Sequence, residues 1–267
     1  MRFMQLLNQN FDLDKFYDDL GRARRPALLL DYDGTLSPFQ IDRDQAFPYP
    51  GVREILESIV ETGRTRVVII SGRRAEDLGR LLQLKNRPEI WGSHGNERIM
   101  PDGSHHLAKL SRAEIEGLKK AAIWARNEGL VDHMEGKPAG LAFHWRGLDD
   151  DLAATIRNKI VEKWTPILDE YGLKLLDFDG GIEIKVSSRD KGNAVKHIHA
   201  ELGHDSVIAY LGDDLTDEDA FKAIGDNGLS VLVREQLRKT SADLWIKPPQ
   251  GLLKFLVKWS QIRKPKD

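Results

Sequence analysis

The chain has 267 residues, of which 40% are hydrophobic and 31% are charged, a balance typical of globular proteins with one or two domains. Its 40 Lys and Arg residues nearly balance 42 Asp and Glu residues, so the broad basic field that a nucleic-acid partner needs is not expected. Cysteine is absent, which excludes disulfides and cysteine nucleophiles, and no apolar run is long enough to cross a bilayer, so we expect no membrane partner. A cytoplasmic monomer is the default expectation.

The first part of the chain alternates between strands and helices. Apolar runs and helical spacing predict strands at 27–30, 67–70 and 89–91, with helices at 51–62 and 75–82 between them. This order indicates a parallel sheet with helices on both faces. The leader at 1–25 we interpret as a helix that docks on this sheet.

The pattern changes in the middle of the chain. The predicted elements there are a hairpin at 98–106, helices at 111–128 and 149–171, and strands near 131–135 and at 139–146, 173–178 and 182–186. The first pattern then returns, with helices at 191–202 and from 216 and strands at 207–211 and 229–233. We therefore predict an α/β core, Rossmann-like and doubly wound, formed by 1–103 and 186–267, and interrupted by a small α+β domain at 104–185.

Two carboxylates follow the first predicted strand. Asp31 and Asp33 stand two residues apart and are followed by Gly34 and Thr35. In doubly wound sheets, ligands bind at the carboxyl ends of the strands, and crowded acids there repel each other unless a cation such as Mg²⁺ lies between them. A carboxylate is also able to attack phosphorus. The alternative is a turn that begins at Asp31 and is formed by Asp33 and Gly34.

A second acidic group follows the predicted strand at 207–211. Thr216 is able to cap a helix whose first turn favours acids, which explains the later members of this group. It does not explain Asp213 and Asp214, which come directly at the end of the strand. Because two strands then deliver acids to one edge of a sheet, the sequence favours a metal site.

Donors for a phosphate group occur at two further places. Ser71 and Gly72 end a third predicted strand, where a hydroxyl, backbone N–H groups and a helix N-terminus together form an anion site. A plain helix cap at Ser71 is the alternative. Lys191 opens a predicted helix, although the helix dipole disfavours a cation there. Neutralisation of a phosphate or a carboxylate explains this position, and a solvated lysine is the alternative.

Together, these residues resemble the four motifs of the haloacid dehalogenase-like (HAD) phosphatases. In chain order they are Asp31-x-Asp33-Gly34-Thr35, Ser71-Gly72-Arg73, Lys191-Gly192 and Gly212-Asp213-Asp214-x-x-Asp217. The inserted domain is similar to the type 2 cap of that superfamily. From about Pro26 onward the chain looks most like the trehalose-6-phosphate phosphatase family. The additional matching stretches are Ser93-His94-Gly95-Asn96-Glu97, Glu135-Gly136-Lys137 and His144-Trp145-Arg146.

The resemblance implies a role for each matching residue of the core. Asp31 is the nucleophile and a metal ligand, and Asp33 is the general acid and base, whose main-chain carbonyl also reaches the metal. Asp213 completes the Mg²⁺ site, with support from Asp214 or Asp217. The implied phosphate-binding residues are Thr35, Ser71, Gly72 and Lys191, and the implied substrate-binding residues of the core are Arg73 and His94.

Alternation along the strands of the insert predicts a polar face. His144 and Arg146 share one side of their strand, and Glu183 and Lys185 share one side of another. Such a face is suited to sugar hydroxyls, and contact with solvent alone is the alternative. The resemblance favours sugar contacts, which it implies for Glu135, Lys137, His144, Arg146 and Glu183.

One stretch of the insert departs from the family. The family often has Glu-x-Arg-Pro where this chain has Glu183-Ile184-Lys185-Val186, and arginine and lysine do not make equivalent contacts. The expected reaction is hydrolysis of trehalose 6-phosphate, with Mg²⁺ as cofactor and a small sugar phosphate as partner. The alternatives are another sugar phosphate (a glycosyl-phosphoglycerate or sucrose phosphate), a silent sugar-phosphate sensor, or a regulatory subunit of a synthase. The intact acidic and lysine motifs argue against the sensor, and the sequence shows no apolar surface for a synthase.

Overall fold

The computed structural model describes residues 3–178, 180–187, 189–203, 205–225 and 228–264. The chain forms two compact units. We call Met1–His106 with Asp190–Asp267 the core unit, and Leu107–Arg189 the insert unit. No helix among the described residues is both long and apolar enough to cross a bilayer. The expected role of the insert as a cap stays a prediction.

The strands and helices have the following bounds. The strands are β1 (Met4–Leu6), β2 (Arg25–Leu30), β3 (Arg66–Ile70), β4 (Glu89–Gly92), β5 (Glu97–Ile99), β6 (His105–Leu107), β7 (Met134–Lys137), β8 (Gly140–His144), β9 (Leu173–Phe178), β10 (Gly181–Val186), β11 (Ser206–Gly212), β12 (Gly228–Val233) and β13 (Leu244–Ile246). The α-helices are α1 (Leu13–Arg22), α2 (Val52–Glu61), α3 (Ala75–Leu82), α4 (Arg112–Asn127), α5 (Asp150–Tyr171), α6 (Lys191–Leu202), α7 (Glu218–Ile224) and α8 (Gln250–Arg263).

The core unit is built on a nine-stranded sheet in the order β1-β13-β12-β11-β2-β3-β4-β5-β6. The strands from β13 to β4 in this order pair in parallel, as the sequence predicted. β1 pairs antiparallel with β13, and β5 pairs antiparallel with β4. The parallel centre of the sheet therefore has β11, β2 and β3 as consecutive neighbours, which fixes where their carboxyl ends meet.

Helices cover both faces of this sheet because its central strands are apolar on both sides. Leu28 and Leu30 of β2 pack in one cluster with α1, α2, α3 and α8. Ala27 and Leu29 of the same strand pack in a second cluster with α6 and α7. Alternate residues of a strand point to opposite faces, so the continuous apolar run in β2 predicts a strand that is buried on both sides.

The insert unit contains a four-stranded sheet in the order β7-β8-β10-β9, and its apolar face packs against α4 and α5. Phe143 of β8 and Ile182 of β10 are cross-strand partners and pack in a cluster with Trp164 of α5 and Ala121 of α4. Ser111 and Glu114 form a capping box that begins α4. The alternation in these strands therefore separates an apolar face from a polar one.

Several elements differ from the sequence-based expectations. β1, β13 and α8 were not predicted, because the first two have only three residues each and all three lie outside the recognised motifs. The leader contains β1 as well as the expected helix, α1. The strand expected near 131–135 begins only at Met134, after a short 3-10 turn. The helix expected from 216 likewise begins with a 3-10 turn, followed by α7.

Candidate active site

Three neighbouring parallel strands bring the first, second and fourth motifs together. β2 leads into Asp31, β3 into Ser71, and β11 ends at Gly212, directly before Asp213. The amide of Asp31 donates to the carbonyl of Leu211, at 2.9 Å, so β2 and β11 stay paired up to the acidic residues that follow them. All three motif residues are buried. The topology therefore places an acidic cluster at the carboxyl edge of the sheet, as expected for a ligand site in this fold.

Lys191, the first residue of α6, lies within this cluster. Its Nζ contacts Asp31 Oδ1 at 2.6 Å and Asp217 Oδ1 at 2.7 Å, and its side chain is 4% exposed. Burial alone would lower the pKa of Lys191, but the two carboxylates outweigh burial, so that its pKa is raised. Burial also raises the pKa of Asp31, to about 7, despite the opposing effect of Lys191. Lys191 is therefore a buried cation and not a solvated one.

Asp217 organises the cluster through all the acceptor positions of its carboxylate. Its Oδ1 accepts from Lys191 Nζ and from the Tyr210 hydroxyl, the latter at 2.5 Å. Its Oδ2 accepts from the backbone amides of Asp213 and Asp214, at 3.0 and 2.9 Å. A carboxylate has about four lone-pair positions, and four donors fill those of Asp217. Asp217 therefore fixes the position of its neighbours instead of offering a free ligand.

The carboxylate of Asp213, in contrast to that of Asp217, has an oxygen that accepts no hydrogen bond from the described residues. This oxygen is Oδ1, and it is buried. Burial raises the pKa of Asp213 well above its usual value, and the charges of Asp31 and Asp217 raise it further. Asp31, Asp213 and Asp217 each have an oxygen within 4.8 Å of the others. A hard cation such as Mg²⁺ fits this set of oxygens, with Asp31 and Asp213 as the carboxylates that have capacity to bind it.

The other two predicted metal ligands have defined contacts. Asp214 Oδ1 accepts from the amide of Leu215 at 2.7 Å, and Asp214 is only partly buried. The side chain of Asp33 is bound by Arg73, as described below, which leaves its main-chain carbonyl as the group that was expected to reach a metal. Thr35 Oγ1 donates to Asp31 Oδ2 at 3.1 Å. The assignment of Asp33 and Asp214 to the metal, and of Thr35 to the phosphate, stays a prediction.

Gly34 is required by the acidic cluster for two reasons. Its φ is +81°, and a Cβ there would lie 2.8 Å from Asp213 Oδ1 and closer still to Oδ2. We expect Gly34→Ala to displace the Asp213 carboxylate and to weaken Mg²⁺ binding about 10- to 100-fold, as measured by isothermal titration calorimetry. Gly63→Ala is the matched control, because Gly63 has φ +61° but a Cβ there would meet no heavy atom of the described residues within 4 Å.

The control separates backbone strain from displacement of the ligand. Gly63→Ala is expected to cost about 1 kcal/mol of unfolding free energy and to leave Mg²⁺ affinity unchanged. Equal Mg²⁺ affinity in Gly34→Ala and the wild type would contradict the assignment of Asp213 to the cation.

A second carboxylate close to Asp31 is held by the second motif. Arg73 Nε donates to Asp33 Oδ2 at 2.7 Å, and Nη2 donates to Oδ1 at 2.6 Å. Burial acts to lower the pKa of Arg73, but the hydrogen bonds and the charge of Asp33 outweigh burial, so that this pKa is raised. The structure thus brings Arg73 together with Asp33. The contact of Arg73 with substrate, which the resemblance implies, stays a prediction.

The second motif is also tied to the loop that contains His94. The amide of His94 donates to the carbonyl of Ser71 at 2.9 Å, and the amide of Ser93 donates to the carbonyl of Arg73 at 2.7 Å. The His94 ring lies against Gly72, where a Cβ would come within 2.7 Å of it. Ser71 Oγ accepts from the amide of Arg73 at 3.2 Å. The phosphate-binding role of Ser71 and Gly72 and the substrate-binding role of His94 stay predictions.

The insert unit has a polar face of its own. Lys137 Nζ contacts Glu183 Oε2 at 2.6 Å, and His144 Nε2 contacts Glu135 Oε2 at 2.9 Å. The register places Glu135 and Glu183 on either side of Ala142, so both lie on the same face of this sheet. Arg146 follows β8 and lies against Gly180. All five polar residues predicted to contact a sugar therefore come from this sheet or from the end of one of its strands.

Sequence reasoning missed three contributors to the acidic cluster. Tyr210 is the single hydroxyl-bearing residue of the buried part of β11, a signal that was available in the sequence. Arg238 donates to the carbonyl of Asp214 at 2.8 Å, and Arg234 Nη1 donates to the carbonyl of Asp213 at 3.3 Å. Both arginines follow β12 in a stretch without a recognisable motif, so only the fold reveals them.

Comparison with known proteins gives consistent matches over most of the chain. The sequence matches the family described as trehalose-phosphatase over residues 29–247. A trehalose-phosphate phosphatase from Mycobacterium tuberculosis is 35% identical over 227 residues, which cover 79% of this chain and 54% of that protein. The chain thus spans about half the length of the curated relatives that it matches.

Solved structures show the same fold. The C-terminal domain of trehalose-6-phosphate phosphatase from C. albicans superposes with a TM-score of 0.77 at 23% identity, covering 96% of this chain and 99% of that one. A phosphatase of the HAD superfamily from Bacteroides thetaiotaomicron has a TM-score of 0.58 at 19% identity, covering 88% and 94%. The predicted fold class, an α/β HAD core with an inserted α+β unit, is confirmed.

Proposed function

This chain belongs to the trehalose-phosphatase family, and from that premise we propose that it hydrolyses trehalose 6-phosphate to trehalose and phosphate, with Mg²⁺, through a phospho-aspartate on Asp31. The observation that carries the proposal is the buried cluster in which Lys191 contacts Asp31 while one oxygen of Asp213 has no described partner. A nucleophile, a cation and a carboxylate oxygen with capacity for a metal together match the needs of phosphoryl transfer, which depends on positioning and on charge stabilisation.

In the first step of the proposed reaction, an oxygen of the Asp31 carboxylate attacks phosphorus. The bond between phosphorus and the sugar oxygen breaks, and Asp33 gives its proton to that oxygen, so that trehalose leaves as a neutral alcohol. Lys191, which already contacts Asp31 at 2.6 Å, stabilises the negative charge of the transferring group.

In the second step, water attacks the phosphorus of the phospho-aspartate. Asp33 takes a proton from this water, and the bond between phosphorus and the Asp31 oxygen breaks. Inorganic phosphate leaves, the Asp31 carboxylate is regenerated, and Asp33 again holds a proton for the next cycle. The position of Asp33, two residues after the nucleophile, allows one side chain to serve in both steps.

The chain's residues also define how a cation would be held. Asp31 and Asp213 would bind Mg²⁺, which when bound supplies positive charge to the phosphoryl oxygens and favours the ionised form of both carboxylates. Asp217 positions this pair, because its hydrogen bonds reach Lys191 and the amide of Asp213.

Recognition of the sugar is proposed for the polar face of the insert unit. Its carboxylates, imidazole and ammonium groups supply both donors and acceptors, as a sugar with many hydroxyls requires. The residues are Glu135, Lys137, His144, Arg146 and Glu183. Lys185, where the family often has arginine, makes another sugar phosphate the first alternative substrate.

We expect His144→Ala to raise KM for trehalose 6-phosphate about tenfold or more while the unfolding free energy changes by about 1 kcal/mol. His144 contacts Glu135 at the polar face and is only partly buried, so its loss removes a polar contact without opening the apolar core. Steady-state kinetics and chemical denaturation measure the two effects. The exposed His106, replaced in the same way, serves as a control, and an unchanged KM in His144→Ala would show that the face is only solvated.

A panel of phosphorylated sugars tests the whole proposal. Phosphate release from trehalose 6-phosphate, sucrose phosphate and a glycosyl-phosphoglycerate is measured with Mg²⁺ and with EDTA. We expect the first to be the best substrate and EDTA to abolish its hydrolysis. Preference for another sugar would correct the substrate, and binding without turnover of any sugar phosphate would indicate a sensor.

The proposal includes a cytoplasmic, monomeric enzyme that acts on a small molecule without nucleic-acid or membrane partners. The even charge gives no broad basic field for a nucleic acid, and the lack of cysteine is compatible with the cytoplasm. Light scattering of the purified chain and fractionation of cells test them directly.

A further inference from the structure

The side chain of Arg73 is held in place by several contacts within the core unit. Its Nη1 donates to the carbonyl of Arg43 at 2.8 Å, while Nε and Nη2 bind Asp33. The guanidinium carbon lies 5.7 Å from the centre of the Tyr32 ring. The side chain of Arg73 is 5% exposed, whereas that of Asp33 is 29% exposed. The buried guanidinium of Arg73 therefore holds the more accessible carboxylate of Asp33.

The geometry of this contact restricts how Asp33 can turn. Two nearly parallel N–H···O bonds from one planar group fix the plane of a carboxylate as well as its distance. A single cation would fix only the distance. The backbone of Arg73 is also fixed, because its carbonyl accepts a hydrogen bond of 2.7 Å from the amide of Ser93. The direction of the Asp33 carboxylate is thus set by a framework outside the first motif.

We propose that Arg73 is a positioning residue, which acts through Asp33 by orienting its carboxylate for proton transfer. The inference rests on the proposed function, because Asp33 needs orienting only if it moves protons. Without Arg73, the Asp33 side chain is free to rotate towards solvent, and misplacement of a catalytic group by about 1 Å costs about 10²-fold in rate. Among the described residues, the hydrogen bonds and ion pairs of Arg73 are with Asp33, Arg43 and the second-motif loop, and not with Asp31 or Lys191, so the step that these two residues perform is expected to survive.

The test uses p-nitrophenyl phosphate, whose leaving group departs as a stable anion without a proton. Formation of the phospho-aspartate from this substrate does not need Asp33, but its hydrolysis does. In Arg73→Met we expect a burst of one p-nitrophenolate per active site at the wild-type rate, followed by a steady-state rate about 10²-fold lower. With trehalose 6-phosphate, kcat is expected to fall while KM changes less than about threefold. Arg73→Lys is expected to recover part of the steady-state rate, because lysine keeps the charge but not the two-point contact.

Arg98→Met is the matched control, because Arg98 also forms ion pairs, with Glu89 and Glu201, and is 16% exposed. It is expected to keep both the burst and the steady-state rate.

A raised KM with unchanged kcat in Arg73→Met would overturn the inference and assign Arg73 to the substrate. If Arg73→Met fails to fold, Arg73→Lys takes its place in the test. Hydrolysis of the phosphoenzyme at the wild-type rate in Arg73→Lys would then overturn the inference. A wild-type chain inactive on both substrates overturns the proposed function and the inference with it, whereas an active wild type with unaffected variants overturns only the inference.

Discussion

Asp31→Asn is expected to lose at least about 10⁴-fold in turnover of trehalose 6-phosphate while the protein stays folded. An amide does not form the phosphoryl bond that the proposed first step requires. The asparagine keeps an oxygen that accepts from Lys191, and it removes a buried negative charge whose burial is unfavourable. The unfolding free energy is therefore expected to stay within about 2 kcal/mol of the wild type. Phosphate release and urea denaturation measure the two quantities.

The control for this variant is Asp177→Asn in β9. Asp177 pairs with Arg157 at 2.8 Å, and its side chain is 56% exposed, so the substitution removes a surface ion pair of small energetic value. Its turnover is expected to match the wild type. Turnover of Asp31→Asn close to that of Asp177→Asn would rule out a phospho-aspartate on Asp31.

Replacing Lys191 by methionine is expected to affect both stability and activity. The stem of the side chain is kept, but Asp31 and Asp217 lose their shared cation in a buried site. Loss of one partner of a buried ion pair typically costs about 3–5 kcal/mol, and we expect a loss of this size near pH 8 without Mg²⁺. Turnover is expected to fall by about 10²- to 10³-fold, because a charge that stabilises the transferring group is missing.

The stability deficit of Lys191→Met should depend on pH. Burial raises the pKa of Asp31 to about 7 in the folded state, against 3.8 as the ordinary value, so the folded state binds more protons between these values. The contribution of Asp31 to stability therefore falls as pH rises through this window. Without Lys191 the pKa of Asp31 rises further, and the fall extends above pH 7. The pKa of Lys191 is itself raised, so its contribution in the wild type is complete at neutral pH.

Urea denaturation at pH 5 and pH 8 in EDTA measures this dependence. The deficit of Lys191→Met should be larger at pH 8 than at pH 5. Lys196→Met, on the same helix but exposed, should show neither a deficit nor a loss of turnover. An equal deficit at both pH values would mean that the buried carboxylates are not what the lysine stabilises.

Much of the fold was predictable because its signals are local. The residues of α3 follow helical spacing, and the predicted range of 75–82 agrees with Ala75–Leu82. The apolar run at 27–30 predicted a strand, and β2 (Arg25–Leu30) is buried from Pro26 to Leu30. In contrast, β1 and β13 have three residues each, too few for a period to be recognised, and they are strands because they pair with each other at the edge of the sheet.

The candidate site was predictable as a set of residues but not as a set of contacts. Lys191 and Asp31 are separated by 160 residues, yet they are 2.6 Å apart in the structure. The sequence predicted Asp31 at the end of a strand and Lys191 at the start of a helix. It held no indication that Asp217 has four donors, or that Asp213 keeps an oxygen without a described partner.

The sequence by itself determines which residues carry the chemistry and how they are spaced along the chain. These residues are the acids, the lysine and the glycine at position 34. The orientation of each side chain was decided by the tertiary structure. Arg73 shows the difference: the sequence contains an arginine in the second motif, and only the structure shows that its guanidinium binds Asp33. The physical reason is that hydrogen bonds depend on distance and angle between groups from distant parts of the chain, which only packing of the whole core unit determines.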